Sequence, residues 1–148
     1  MKPATFLPVI RELVRCHQAF ESYSSRHVRS MGLTSPQFDI IATLGNTRGM
    51  TFKELGGKTL ITKGTLTGVV DRLVVKKLVR RVASPTDGRC QIVQLTAKGE
   101  TVFAKIFPAH LSHIGNAFTG VGPGELQQTQ DMLKRLCNVF KRASESSR

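Results

Sequence analysis

Thr62-Lys63-Gly64-Thr65-Leu66-Thr67-Gly68-Val69-Val70-Asp71-Arg72-Leu73 is the stretch on which the fold turns. Leu66, Val69, Val70 and Leu73 fall at i, i+3, i+4 and i+7, a spacing that puts four apolar side chains on one side of a helix. Thr62 precedes them with a hydroxyl suited to capping. The opposite face carries Lys63, Thr65 and Thr67 near its N-terminus. Gly64 and Gly68, each about 1 kcal/mol less favourable in a helix than alanine, leave that face without bulk. Short hydroxyl side chains over bare backbone suit close approach to base edges in a DNA groove. Packing against a neighbouring helix accounts for Gly68 equally well.

Upstream, Thr51-Phe52-Lys53-Glu54 has the capping-box pattern and opens a short helix with Phe52 and Leu55 facing inward. Two short helices joined by a tight turn form a helix-turn-helix. Thr34-Ser35-Pro36-Gln37 is a second capping box, starting a helix through Phe38, Ile41 and Leu44 that Gly45, Asn46 and Gly49 end. From Phe6 to Tyr23, apolar residues at 6, 9, 10, 13, 16, 20 and 23 predict a long first helix with one buried face, interrupted at Gly32.

Downstream, Leu78 to Ala83 alternates, Ser84-Pro85-Thr86-Asp87-Gly88 has turn chemistry, and Gln91-Ile92-Val93-Gln94-Leu95 returns as a second strand, making a hairpin or wing. Thr96 caps a helix whose stripe is Phe103, Phe107, Leu111, Ile114 and Phe118, with Pro108 predicted to kink it. Gly120-Val121-Gly122-Pro123-Gly124 breaks the chain. Leu126, Leu133, Leu136, Val139 and Phe140 mark a last helix before a Ser-rich end expected to fray.

The expected fold is mainly α with a small β-hairpin wing. A winged helix-turn-helix module over residues 33–100 is flanked by dimerisation helices over 5–31 and 100–143, within one domain of residues 1–148. A module of about 60 residues cannot easily bury the apolar faces of two long flanking helices, which predicts a homodimer about a twofold axis.

The chain has 148 residues, well below the roughly 250 at which single cores begin to split. Its 22 Lys and Arg against 10 acidic residues give a net charge of +12, which points to a polyanionic partner. Residues 53–99 hold ten basic and three acidic side chains, so the middle third carries most of the excess. Trp is absent and Tyr23 is the only Tyr, a poor supply for stacking single-stranded bases, so duplex DNA is favoured. With 40% apolar residues the chain is not a disordered basic tail. No apolar run approaches a membrane span, and the N-terminal stretch regains charge at Arg11 before reaching signal-peptide length. Cys16, Cys90 and Cys137 lack metal or redox spacing, and a reducing cytoplasm is expected.

Arg89, at the hairpin tip beside the Asp87 carboxylate that would orient its guanidinium, suits insertion into a narrow minor groove. Lys76, Lys77, Arg80 and Arg81 suit phosphate contacts. Lys53, on the short helix, joins the DNA-binding set.

Glu54-Leu55-Gly56-Gly57, Ile61-Thr62-Lys63-Gly64-Thr65-Leu66-Thr67, Asp71-Arg72-Leu73, Leu78-Val79-Arg80-Arg81, Asp87-Gly88-Arg89 and Leu95-Thr96-Ala97-Lys98-Gly99 resemble, in order and spacing, the multiple antibiotic resistance regulator (MarR) family of bacterial transcription factors. The wing signature with its trailing Leu-Thr-x-x-Gly is the most specific part. The resemblance implies a triangular winged-helix homodimer with interlocking terminal helices. It also implies a ligand- or signal-responsive repressor that binds a pseudo-palindromic duplex operator. Thr62, Lys63, Thr65 and Thr67 match recognition-helix positions, Arg72 a backbone contact, and Asp87 and Arg89 the wing pair. Lys77 departs from the pattern, standing where members usually have a glycine, and a left-handed conformation there is costly for lysine.

Regulators similar to this one release DNA when a small aromatic or phenolic effector binds; others sense oxidants through a cysteine. Cys16, beside Arg15 and His17, is the candidate for such redox sensing. A small residue buried on an apolar helix face is the plainer reading of it. His110 and His113 at i, i+3 lack a companion ligand within the same turns, so no metal and no cofactor are expected, and His17 and His27 add nothing. No nucleophile elbow, P-loop, dinucleotide fingerprint or carboxylate pair is present, so no enzyme is expected. A nonspecific architectural DNA-binding protein is the alternative, and the hydroxyl-rich recognition helix argues against it.

Overall fold

The structure, a computed structural model, describes residues 5–148. Residues 1–4, where the expected single domain and the N-terminal stretch begin, lie outside the described residues. The chain divides into two compact units, one ending at Ile114 and the other covering Gly115–Arg148.

The first unit holds α1 (Leu7–Ser30), α2 (Ser35–Leu44), β1 (Met50–Thr51), α3 (Phe52–Thr59), α4 (Lys63–Val75), β2 (Val79–Ala83), β3 (Gln91–Leu95) and most of α5 (Ala97–Ala117). Both capping boxes form. The Gln37 amide donates to Thr34 Oγ1 at 3.4 Å while the Thr34 amide donates to Gln37 Oε1 at 3.2 Å. At α3, Glu54 N donates to Thr51 Oγ1 at 3.1 Å and Thr51 N returns to Glu54 Oε1 at 3.4 Å. Each box satisfies an N–H at the helix start that would otherwise lack a partner. Thr62 is the N-cap of α4 by position only: its hydroxyl donates to Thr65 Oγ1 at 3.1 Å and caps no amide.

The predicted stripe of α4 is the centre of the core. Leu66, Val69, Val70 and Leu73 are buried with Ile40, Ile41 and Leu44 from α2 and Leu55 from α3. The helix ends in a Schellman motif: Lys77 N donates to Val74 O at 2.9 Å and Leu78 N to Leu73 O at 3.0 Å. Lys77 adopts φ 62°, the left-handed conformation that its lack of a glycine makes strained.

Leu78 lies just outside the hairpin, whose strands run from Val79 and to Leu95 in antiparallel register, with Arg81 opposite Val93. Met50 and Thr51 pair with Val93 and Ile92, giving a three-stranded sheet in the order β1-β3-β2. A two-residue strand is too short to show alternation, which is why β1 is absent from the sequence reading. Thr96 caps α5 as expected: Gly99 N donates to its hydroxyl at 3.0 Å, and that hydroxyl donates to Lys77 O at 2.7 Å. Gly99 has no room for a side chain, because a Cβ there would collide with the Leu78 carbonyl.

The expected α5 stripe is corrected. Gly99, Phe103, Ile106 and His110 are buried, Phe107 and Ile114 are half-buried, Leu111 is exposed, and Phe118 lies beyond the helix end. Steps of 4, 4, 3 and 4 exceed the helical repeat on average, so the predicted stripe drifts round the helix away from the core. Pro108 lies inside α5, which continues past it. Along α1 only Val28 is buried, while Val9, Val14, Phe20 and Tyr23 stay exposed.

In the second unit, α6 (Pro123–Ser146) buries no residue and exposes Leu126, Leu133, Val139 and Phe140. The Ser-rich end is helical rather than frayed. Ser144, Ser146 and Ser147 donate their hydroxyls to the carbonyls of Phe140, Arg142 and Ala143 at 2.9, 3.0 and 2.9 Å, engaging acceptors of the last turns.

Two substitutions test these junctions. Lys77→Gly should raise unfolding free energy by about 1 kcal/mol by relieving the left-handed strain. Gly99→Ala should lower it by about 1 to 3 kcal/mol through overpacking against Leu78. Chemical denaturation midpoints at constant slope read both.

Candidate nucleic-acid interface

The face of α4 opposite its buried stripe is open. Lys63, Gly64, Thr65, Thr67, Gly68 and Arg72 are exposed, and a Cβ on Gly64 or Gly68 would meet nothing within 4 Å. Packing against another described helix of the first unit therefore does not explain Gly68. With Thr62 engaged on Thr65, no side chain caps the first turn, so the start of α4 offers amide N–H groups as well as the Lys63 ammonium to an anion.

Lys53, Lys63, Thr67 and Arg81 come together around one cavity of about 720 Å³ between α3, α4 and the hairpin, with Phe52, Ile61 and Leu66 as its apolar wall. Arg72, Lys76, Arg80, Asp87 and Arg89 do not line it.

Several of the predicted contacts are already engaged within the chain. The Arg81 guanidinium pairs with Asp71 and lies 5.4 Å from the centre of the Phe52 ring. Lys76 Nζ donates to Gly32 O and Gln37 Oε1, both at 3.1 Å, tying the end of α4 to the α1–α2 junction. Arg80 Nε donates to Gln94 Oε1 at 2.5 Å across the hairpin. Lys53, Lys63, Arg72 and Arg89 have no ion pair among the described residues.

At the wing tip the expected Asp87–Arg89 side-chain pair does not form. Asp87 Oδ1 accepts the Arg89 backbone N–H at 3.0 Å, and Oδ2 accepts the Cys90 thiol at 3.7 Å. The backbone amide two residues on is nearer than the end of a long side chain, so the carboxylate shapes the turn and the guanidinium stays exposed.

A second cluster escaped the sequence reading. His27 Nδ1 and His110 Nδ1 are 2.9 Å apart, His110 Nε2 is 3.1 Å from Ser24 Oγ, and the His27 and His113 rings stack at 4.1 Å. Tyr23 stacks on His113 at 4.3 Å and donates its hydroxyl to His113 O at 2.8 Å. The residues come from α1 and α5, more than 80 positions apart, and only the His110–His113 spacing was visible in the sequence. No group of three ligand side chains suited to a metal occurs among the described residues. Burial first, and neighbouring imidazoles second, hold His27 and His110 below their ordinary 6.5. Asp39, on α2, is pushed up to about 6 by desolvation and then by the Glu21 carboxylate. Cys16 is exposed, as are Cys90 and Cys137, so the reading of Cys16 as a buried apolar filler is corrected.

Residues 31–89 match the sequence model of the MarR family. The chain is 32% identical over 124 residues to the HTH-type transcriptional regulator MhqR of Bacillus subtilis, covering 84% of this chain and 86% of MhqR. Its fold is similar to that of AbsC, a MarR family regulator of Streptomyces coelicolor, with a TM-score of 0.83 at 22% identity over 95% of this chain and 97% of AbsC. It is similar also to BpsR of Bordetella bronchiseptica, whose DNA binding is regulated by 6-hydroxynicotinic acid, with a TM-score of 0.80 at 23% identity over 93% and 98% of the two chains.

The histidine cluster makes stability pH-dependent. The fold favours neutral His27 and His110, so their contribution is complete above pH 6.5 and is lost as pH falls below it. Asp39 acts in the opposite sense, since its raised pKa disfavours the carboxylate and the fold gains as pH drops through about 6. Melting His110→Gln beside wild type separates the two: between about pH 7.5 and pH 5 the wild type should lose more stability than the variant. Parallel curves would show that His110 does not contribute.

Proposed function

We propose a function from one premise: the chain belongs to the MarR family of transcriptional regulators. It is a non-enzymatic, DNA-binding winged-helix protein. The finer reading is a cytoplasmic homodimer that binds a pseudo-palindromic operator and represses transcription until a small aromatic or phenolic effector releases it. The observation that carries it is the open α4 face, where exposed Lys63, Thr65 and Thr67 stand beside Gly64 and Gly68, at neither of which a Cβ would meet a described atom within 4 Å.

In this reading α4 enters the major groove with Thr62, Lys63, Thr65 and Thr67 at base edges, and Arg89 reaches the adjacent minor groove from the wing. Lys53 and Arg72 take phosphates. Lys76, Arg80 and Arg81 join them at the margin of the site while holding α4 and the hairpin in place through their partners inside the chain. Dimerisation through residues 5–31 and 100–143 is supported by the apolar side chains that each unit leaves exposed, among them Val14 and Phe20 on α1 and Leu133 and Phe140 on α6. A twofold pair of modules would occlude the duplex from other proteins, which is how repression follows. The regulation of BpsR by 6-hydroxynicotinic acid supports an aromatic effector. No described helix is long and apolar enough to cross a membrane.

Fluorescence anisotropy against the gene's own promoter and a scrambled duplex, over several salt concentrations, tests the reading. A preference of about 10³ or more is expected, and equal affinity for both would favour an architectural protein instead. Arg89→Ala should weaken promoter binding by roughly 1 to 3 kcal/mol, and Arg72→Ala should reduce the slope of log affinity against log salt by about 1. Unchanged values would remove those residues from the interface.

A further inference from the structure

Leu60 joins α3 to α4 in a way that local energetics alone would not select. It is the C-cap of α3 at φ 61°, ψ 14°, left-handed backbone that a branched aliphatic side chain adopts only at a penalty. Its side chain is 87% exposed, more than any other large hydrophobic among the described residues. The conformation is firmly held: Leu60 N donates to Gly56 O at 3.0 Å, Thr59 Oγ1 donates to Leu55 O at 2.7 Å, and Ile61 N donates to Thr59 Oγ1 at 3.4 Å. Glycine would satisfy every one of these bonds without strain and without presenting an apolar side chain to water. A residue that is unfavourable in both respects, and that contributes nothing to the core, points to a use outside the chain.

Its position indicates which use. Leu60 is two residues before the N-cap Thr62 and three before Lys63, so its Cα is within about 11 Å of the residues that begin the proposed recognition face. Lys58 and Lys63 flank it in sequence with positive charge, which the polyanionic duplex attracts, whereas Leu60 has no polar side-chain atom for a phosphate or a base edge. The 5-methyl group of thymine is the apolar feature that duplex DNA displays in its major groove.

We infer that Leu60 is a specificity-determining residue, held by its left-handed turn so that its side chain packs on a thymine 5-methyl group beside the bases read by the start of α4. The inference rests on the operator-binding reading above. It makes the turn of the helix-turn-helix part of the reading surface, where α4 and the wing would otherwise suffice.

The test uses the full-length protein and a duplex recovered by wild-type selection from a random pool. Thymines of that duplex are replaced one at a time by deoxyuridine, which removes only the methyl group. Wild type and Leu60→Gly are then titrated against each duplex. One replacement should weaken wild-type binding by about three- to fivefold and leave Leu60→Gly unaffected, while the variant melts at a higher temperature than wild type. If every replacement affects both proteins alike, or if none affects the wild type, the inference is overturned and the operator reading stands. Recovery of no preferred duplex by the wild type would overturn the operator reading, and the inference with it.

Discussion

The hydrogen bond from the Leu78 amide to the Leu73 carbonyl is the constraint on which the winged module depends. It closes α4 at the residue whose side chain is fully buried, and it turns the chain directly into the hairpin. The same junction receives α5, since Thr96 N donates to Leu78 O at 3.1 Å and the Thr96 hydroxyl reaches the Lys77 carbonyl. Three elements thus take their direction from four residues. Lys77 bears the strain because those partners leave its backbone no alternative.

The surplus of positive charge has two kinds of member. Lys76, Arg80 and Arg81 have their nitrogens on acceptors of the module itself, on Gly32 and Gln37, on Gln94 and on Asp71. Lys63, Arg72 and Arg89 do not, and they stand exposed on α4 and the hairpin turn. Of the first kind, Arg81 joins the hairpin to α4 through Asp71, Arg80 crosses the hairpin and Lys76 ties α4 to the α1–α2 junction; the second kind, in the proposed reading, is left for a duplex. Net charge alone cannot distinguish them, since the difference lies in which acceptor each cation can reach.

How far this could be read in advance depended on how far apart the interacting residues are. The capping boxes at Thr34 and Thr51, the buried stripe of α4 and the hairpin were legible because their partners lie within a few residues. The left-handed Lys77 was legible through the family resemblance. Pairing of Met50 with Val93 and assembly of His27, His110 and His113 were not, for no local pattern marks contacts between residues so far apart in sequence. Asp87 and Arg89 failed for the opposite reason: adjacency was visible, but the backbone amide competed successfully for the carboxylate. The exposure of Lys63, Thr65 and Thr67 opposite the buried stripe of α4 was legible down to individual residues. The apolar side of α1 was equally legible as a pattern, although Phe6, Val9, Cys16 and Phe20 along it are exposed.

The short strand β1 has a consequence for how copies of this protein tolerate crowding. A bare hairpin offers two unpaired strand edges, each a template for cross-chain pairing and aggregation. Here Met50 and Thr51 occupy part of the outer edge of β3, and the remaining edge strand, β2, carries Arg80 and Arg81. A second wing approaching edge to edge would bring like charges together at close range. Two copies of the chain brought side by side can therefore lie with their wings close together without their sheets fusing.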